Sequence, residues 1–184
     1  LRGLPSLAIE VTTDYNSYKA DRDIQLIVKI KNNGYARTGD VKLKIDTGGL
    51  RVISGETTKN YFEIQKNEQL ADLKLTLDAP SYMEKKTITI NATSTGYDAK
   101  NLYYTWTGTK NIDIEPMIEI IKLVAGGSYL SSGQTTPEVY MDESVGVSVV
   151  AINHGDFTIK DINLNDSLLA NFKLKSGETH RKVY

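Results

Sequence analysis

Two asparagines stand in the Asn-x-Ser/Thr context that N-glycosylation requires, in Asn91-Ala92-Thr93 and Asn165-Asp166-Ser167. The residue before each asparagine, Ile90 or Leu164, is apolar, so alternation along a strand places both asparagines on the polar side. An outward side chain is accessible to a glycosylating enzyme. The same tripeptide also arises by chance in polar β-rich proteins, so the sequence predicts accessibility and leaves occupancy open.

Aromatic side chains form a second candidate site. Tyr103, Tyr104 and Trp106 cluster in one segment, in a chain that has 11 tyrosines and 3 phenylalanines. Exposed rings can stack on sugar rings or form an interaction patch. The alternative, which we prefer, is that Trp106 fills a core while the tyrosines cover its ends with their hydroxyls in water. No polar triad beside them in the sequence would orient a sugar.

Acidic residues precede a predicted strand twice. The pairs are Asp21 with Asp23 and Asp142 with Glu143. Ca²⁺ needs several oxygens that converge from one loop, and two carboxylates fall short of that number. We therefore expect these side chains to cap turn amides. A weak Ca²⁺ site between the modules that uses Asp113 or Glu115 is the alternative.

Residue types that commonly carry catalysis are scarce. The chain has two histidines, His154 in a predicted turn and His180 near the end of the given sequence. Histidines in these two positions are not expected to make a zinc site or a catalytic dyad. Cysteine is absent, which removes disulfides and thiolate chemistry. Nucleophile-elbow, Walker and dinucleotide-binding glycine motifs are also absent. We predict no enzyme activity, no catalytic residue, no metal and no cofactor.

The element that carries most of the architecture occurs twice. Residues 21–45 reappear as residues 142–166, which lie 121 positions later without a gap. The identical positions are Asp21, Val28, Asn32, Gly34, Asp40 and Leu43, which match Asp142, Val149, Asn153, Gly155, Asp161 and Leu164. The apolar series Ile24, Leu26, Val28 and Ile30 is matched by Val145, Val147, Val149 and Ala151. A tandem copy of one module is typical of spacers and surface stalks.

Hydrophobic residues alternate with polar ones almost throughout, which predicts strands with one wet face and almost no helix. In the first module the pattern predicts seven strands, near 6–13, 23–32, 40–47, 59–65, 69–78, 86–95 and 102–114. The second reads as strands near 117–124, 144–152, 160–166, 171–175 and 179–184. Gly and Asn in the intervening turns (Asn32 to Gly34, Gly48-Gly49, Asn67) are expected to supply positive φ. This pattern predicts immunoglobulin-like β-sandwiches, with a closed barrel as the alternative.

The domain division follows from the repeat. Residues 1–115 are predicted to form one immunoglobulin-like β-sandwich module. Residues 116–184 would form a second copy, truncated before its last two strands and carrying an extra loop at 126–137. The Glu115-Pro116 joint is short and therefore stiff. Because an incomplete sandwich leaves an open edge, self-association through the second module is expected. We expect the chain to be a segment of a longer protein.

The composition restricts the classes of partner that the chain is expected to bind. The 22 basic residues balance 23 acidic ones, so no basic field for nucleic acid exists. The longest apolar run, 117–125, is interrupted by Glu119 and Lys122 and falls well short of the ~20 residues of a membrane span. At 184 residues the chain suits one large domain or two small ones.

Short motifs in both modules resemble the CARDB-type (cell adhesion related) and S-layer-type surface repeats of archaea and bacteria. They are residues 28–34 with 41–43, residues 149–155 with 162–164, and an F-x-L-x-x-G-E turn at 172–178. The resemblance implies an immunoglobulin-like sandwich in an extracellular, cell-surface spacer or adhesion protein, without catalytic residues. Its expected partners are neighbouring repeats, other surface proteins or glycans. A carbohydrate- or protein-binding accessory module of a larger secreted enzyme is the alternative.

Overall fold

The computed structural model describes residues 3–124, 128–130, 146–155, 157–166 and 177–183, and these residues form strands and connections without a helix. The chain divides into two compact units, Leu1–Met117 and Ile118–Tyr184. The division lies two residues beyond the Glu115-Pro116 joint. The all-β class predicted from the alternation is confirmed.

The first unit is a sandwich of two sheets. Its strands are β1 (Leu7–Thr13), β2 (Ser17–Tyr18), β3 (Asp23–Asn32), β4 (Thr38–Asp46), β5 (Arg51–Ser54), β6 (Thr58–Ile64), β7 (Leu73–Asp78), β8 (Lys86–Tyr97) and β9 (Tyr103–Ile114). One sheet has the order β1-β3-β7-β5 and the other β2-β9-β8-β4-β6. Every pairing is antiparallel except that of β2 with β9, which is parallel. Two stacked, open sheets exclude the closed barrel.

The core lies between the sheets and is built from the alternating residues of each strand. Ile24, Leu26, Val28 and Ile30 of β3 are at most 1% exposed, as their spacing predicts. The opposite sheet contributes Val41, Leu43, Ile90, Ile112 and Ile114, which are at most 2% exposed. Each such side chain stabilises the fold by about 1.5–3 kcal/mol through burial. The hydrophobic effect therefore determines which face of each strand points inward.

The sequence pattern did not predict the short strands β2 and β5, and it predicted the start of β7 too early. β2 has two residues and β5 has four, of which only Val52 packs against the core. Neither is long enough to show an alternation. β7 begins at Leu73 and not at residue 69, because Ala71 is exposed and Gln69 makes only an isolated bridge to Lys31.

The residues in the predicted turns are explained by two different requirements, a positive φ and the close approach of two chain segments. Gly48, Gly49 and Asn67 adopt positive φ values of 66°, 88° and 62°, as expected. For Gly34 that expectation is wrong, since its φ is not positive. A Cβ there would lie 2.4 Å from the backbone nitrogen of Ser6, so glycine is needed for close approach of two chain segments.

The second unit contains β10 (Ile118–Val124), β11 (Ser128–Leu130), β12 (Val147–Asn153), β13 (Ile162–Asn165) and β14 (His180–Val183). They form sheets of order β11-β10-β12 and β13-β14. β11 lies within the segment predicted as an extra loop. The predicted strand at 171–175, the acidic pair Asp142 and Glu143, and Val145 lie outside the described residues.

Two pairs of strands have the same register in both units. Asn32 at the end of β3 pairs with the first residue of β1, and Asn153 at the end of β12 pairs with the first residue of β10. Val41 pairs with Tyr61 across β4 and β6, as Ile162 pairs with Val183 across β13 and β14. For these two strand pairs the sequence repeat is therefore also a repeat of pairing, whereas β10 has in β11 a second partner that β1 lacks.

Burial differs between the units. Val28 is 1% exposed, whereas its copy Val149 is only half-buried, and Val147 is 49% exposed where Leu26 is fully buried. None of residues 118–123, 146–155, 157–166 and 177–181 is fully buried. The expectation that these β12 residues fill a core as their β3 counterparts do is wrong for Val147.

Candidate functional site

The repeated asparagine turn is the most connected polar feature of the first unit. Asn32 is fully buried, and its Oδ1 accepts hydrogen bonds from the backbone nitrogens of Gly34 (2.9 Å) and Ser6 (3.3 Å). Its Nδ2 donates to the carbonyls of Ala36 (2.9 Å) and Ile64 (3.2 Å). One amide thus satisfies four backbone groups from three chain segments, as a buried polar side chain must. Its role is to position strands.

The second unit repeats the central part of this turn. The Oδ1 of Asn153 accepts from the nitrogen of Gly155 (3.0 Å), and its Nδ2 donates to the carbonyl of Phe157 (2.7 Å). Each partner lies at the same offset from its asparagine as in the first unit. His154 lies in this turn, as predicted, and its Nε2 is 2.6 Å from a carboxylate oxygen of Glu119.

The two sequons lie in different settings. Asn91 is half-buried in β8, the middle strand of the five-stranded sheet, and faces Asp46 on β4 and Thr109 on β9. Asn165 is exposed at the end of β13. Both alternate with inward-pointing neighbours, so their side chains point away from the sheet interior. Asn165 offers the freer access to an enzyme.

The predicted aromatic patch is divided between the two faces of its sheet. Tyr104 and Trp106 are half-buried and stack with ring centroids 5.8 Å apart, and Trp106 packs against the core. Tyr103 is 58% exposed and contacts Tyr97 on the opposite face, at 5.3 Å between centroids. This separation follows from the alternation of side chains along β9. Tyr97 was not part of the predicted patch, because only the β8–β9 register places it opposite Tyr103.

An open groove lies beside this second aromatic pair. Its volume is about 430 Å³, and its lining includes Asp40, Lys42, Asn60, Phe62 and Tyr97. The register of β4 against β8 shifts between Gly39 and Lys42, and Asp40 within the shift has a φ of 49°. A bulge of this kind redirects side chains near binding sites. No sequence signal predicted the groove, because β4, β6 and β8 meet there from distant parts of the chain.

The carboxylates considered for Ca²⁺ lie together and share a lysine. Lys85 Nζ is 2.9 Å from Asp113 Oδ2 and 3.1 Å from Glu115 Oε1. Asp113 also accepts from Thr87 at 2.7 Å, and Glu115 accepts from Ser17 at 2.6 Å. These bonds lower the pKa of both carboxyls, chiefly through Lys85 for Asp113 and through Ser17 for Glu115. The two carboxylates therefore serve an ion-pair cluster at the end of β9.

In the part of the chain that the structure describes, no group of three or more His, Cys, Asp or Glu side chains has the geometry to hold a metal ion. The same part contains no helix that is long and apolar enough to cross a membrane. Asp21 bonds through its backbone nitrogen to the carbonyl of Ala79 at 3.0 Å and adopts a φ of 60°, which places it in a tight turn before β3.

No family model and no curated protein matches the chain. Among solved structures it is similar to the CARDB domain of a Pyrococcus furiosus protein in complex with di-metal ions (TM-score 0.42, 18% identity, 61% of this chain and 94% of that one). It is also similar to the sporulation control protein Spo0M of Bacillus subtilis (0.35, 14%, 61% and 50%). A third is the major pilin subunit of Bacillus cereus (0.43, 11%, 97% and 67%). The first is of the type that the sequence resembles, but TM-scores this low carry no argument about what this chain binds or does.

Proposed function

We propose that the chain is a non-catalytic structural or adhesion module of a prokaryotic, archaeal cell-surface or S-layer-like protein, and that it acts as a stiff extracellular spacer. The observation that carries the proposal is the duplicated asparagine turn. Asn32 and Asn153 make the same two bonds, to Gly34 and Ala36 and to Gly155 and Phe157, within strands of the same register. Modules that repeat in series lengthen a protein without adding a new fold.

The connection between the units supports stiffness. Pro116 forms a bridge with Tyr82, and the nitrogen of Met117 donates to the carbonyl of Tyr82 at 2.8 Å. Met117 is also buried. Strand β10 begins at the next residue, Ile118. Since Pro116 and Met117 are bonded to the first unit, few backbone bonds are left to rotate between it and β10.

The polar groups of the first unit also fit a structural role. Asn32 and Thr38, although fully buried, bond to backbone groups of neighbouring strands, Thr38 through its hydroxyl to the carbonyl of Tyr97 at 3.1 Å. The formal net charge of −1 leaves little electrostatic repulsion between copies, which favours their association. Neighbouring repeats and other surface proteins are the proposed partners, and the half-buried strands of the second unit are the proposed site of self-association.

Stiffness can be tested by distance measurement, because the chain has no native cysteine. Spin labels at Thr105→Cys and Lys160→Cys, both exposed, should give a narrow distribution of inter-unit distances. The matched control carries the same labels and a Gly/Ser insertion of about six residues between Met117 and Ile118, which should broaden the distribution. A parent distribution as broad as that of the insertion variant would contradict the spacer proposal.

The location can be tested separately. Antibodies against the chain should label intact cells of its natural source without permeabilisation. Labelling that requires permeabilised cells would reject the surface assignment and leave the fold untouched.

A further inference from the structure

We propose that the groove at the β4 bulge binds a neutral oligosaccharide. The inference is independent of the spacer role, because it rests on side chains of the first unit alone. The groove is formed where β4 leaves register with β8, with Asn60 and Phe62 of β6 on one side and Tyr97 of β8 on the other. Its volume of about 430 Å³ falls within the range of small-ligand sites.

Exposed aromatic rings border the groove. Phe62 is 84% exposed, the highest value among the large exposed hydrophobic side chains of the described residues. Tyr97 is 40% exposed and is held in ring contact with Tyr103. A phenyl ring that is exposed to water gains no free energy from burial. The apolar face of a sugar ring can cover it and supply that free energy. The aromatic pair on β8 and β9 would extend that surface.

Polar side chains in the groove are available to a ligand. Asp40, Lys42 and Asn60 are exposed, and among the described residues none of the three makes a side-chain hydrogen bond or ion pair. Together they offer a carboxylate acceptor, an ammonium donor and an amide that does both. Adjacent sugar hydroxyls require this mixture of donors and acceptors. Because the charges of Asp40 and Lys42 cancel, the groove favours a neutral ligand over an acidic or basic one.

The same sheet offers room for more than one sugar unit. A second open groove of about 780 Å³ lies along β4, β8 and β9, lined by Lys44, Thr93, Thr107 and Thr109 among others. Lys44 follows Lys42 by two residues on β4, a step of roughly 7 Å. Hydroxyl side chains therefore continue the polar surface away from the aromatic rings, which indicates a chain of several sugars.

The proposed site lies in the first unit, and the described residues of the second unit reproduce only part of it. The left-handed backbone of Asp40 recurs at Asp161 (φ 58°), so the local backbone conformation is a property of the repeated fold. The side chains differ, since the cross-strand pair Lys42 and Asn60 corresponds to the pair Asn163 and Lys182 of the second unit. The carboxylate of Asp40 thus recurs at Asp161, whereas the ammonium and the amide exchange places between the two paired strands.

The test measures retardation of the full chain in native gels that contain a neutral polysaccharide (a β-glucan, a mannan, a galactan or an α-glucan), followed by calorimetric titration with the corresponding hexasaccharide. At least one neutral polysaccharide should retard the chain. Phe62→Ala should weaken the affinity about tenfold, and Asn60→Ala should weaken it as well. Phe157→Ala is the matched control, because Phe157 is an exposed phenylalanine (65%) of the second unit and should leave binding unchanged.

Three results would overturn the proposal. They are retardation by none of these polysaccharides, an affinity that survives both Phe62→Ala and Asn60→Ala, and binding to an anionic polysaccharide such as hyaluronan in preference to the neutral ones. Loss of binding by Phe62→Ala would not result from misfolding, because Phe62 is almost fully solvent-exposed. The melting temperature of the variant should equal that of the parent. Failure here would leave the inter-unit distance measurement, and the spacer role, unaffected.

Discussion

Replacement of Asn32 by alanine should destabilise the first unit strongly. The side chain is fully buried and makes four hydrogen bonds, two at 2.9 Å and two longer ones at 3.2 and 3.3 Å. A typical hydrogen bond contributes about 1 kcal/mol net, and a buried backbone group left without a partner costs about 1–3 kcal/mol. Counting the two short bonds fully and the two long ones in part, we expect a loss of about 3 kcal/mol.

The assay is urea unfolding monitored by tryptophan fluorescence. Trp106 is the single tryptophan of the chain, and it packs against the core of the first unit, so its emission reports on that unit. The midpoint should fall while the slope m stays constant, since the surface exposed on unfolding is nearly unchanged. Asn153→Ala is the control: it removes the corresponding bonds in an exposed turn of the second unit and should leave the Trp106 transition in place.

The reasoning would be refuted by an Asn32→Ala loss well below ~1 kcal/mol, the value of one ordinary hydrogen bond. It would also be refuted if Asn153→Ala shifted the Trp106 transition as far as Asn32→Ala does. Either result would show that the buried amide is not what holds the three chain segments together.

Three further predictions follow from single contacts. Ser94→Ala should raise the melting temperature, because the buried Ser94 Oγ has no hydrogen-bond partner among the described residues and its removal should gain about 1 kcal/mol. Gly34→Ala should lower the melting temperature, since a Cβ would lie 2.5 Å from the carbonyl oxygen of Leu4. Its effect on the melting temperature is compared with that of Gly155→Ala, the corresponding change in the second unit. The pKa values of Asp113 and Glu115 are lowered, so their contribution to stability is present above about pH 4 and is lost as the pH falls through the lowered values. Lys85→Ala should flatten the acid limb of the stability curve, measured by urea unfolding between pH 2 and 6, and an unchanged limb would contradict the ion-pair account.

The sequence predicted those parts of the fold in which alternation is long and the inward residues are buried. Ile24 to Ile30 of β3 lie in the core as their spacing requires, and the asparagine turn was recognised from its recurrence at residue 153. Both signals are local, because each is a property of one short segment of the sequence. β2 and β5 could not be read in this way, because strands of two and four residues are held by partners distant in sequence.

The candidate sites depended even more on tertiary structure. Alternation alone could have separated Tyr103 from Trp106, since the two lie at odd and even positions of one strand. The contact of Tyr103 with Tyr97, by contrast, depends on the β8–β9 register, and the groove at Asp40 depends on a bulge whose φ of 49° no residue type signals reliably. The exposure of Val147 likewise depends on what covers β12 and not on its own alternation.

Nuclear Overhauser contacts across the strands test the tandem arrangement most directly. The account predicts that Val41 contacts Tyr61 and that Ile162 contacts Val183, with the same register in both pairs. It also predicts contacts of Asn32 with Leu7 and of Asn153 with Ile118. Contacts in the second unit displaced by one residue, or found with other partners, would contradict the claim that one module is built twice.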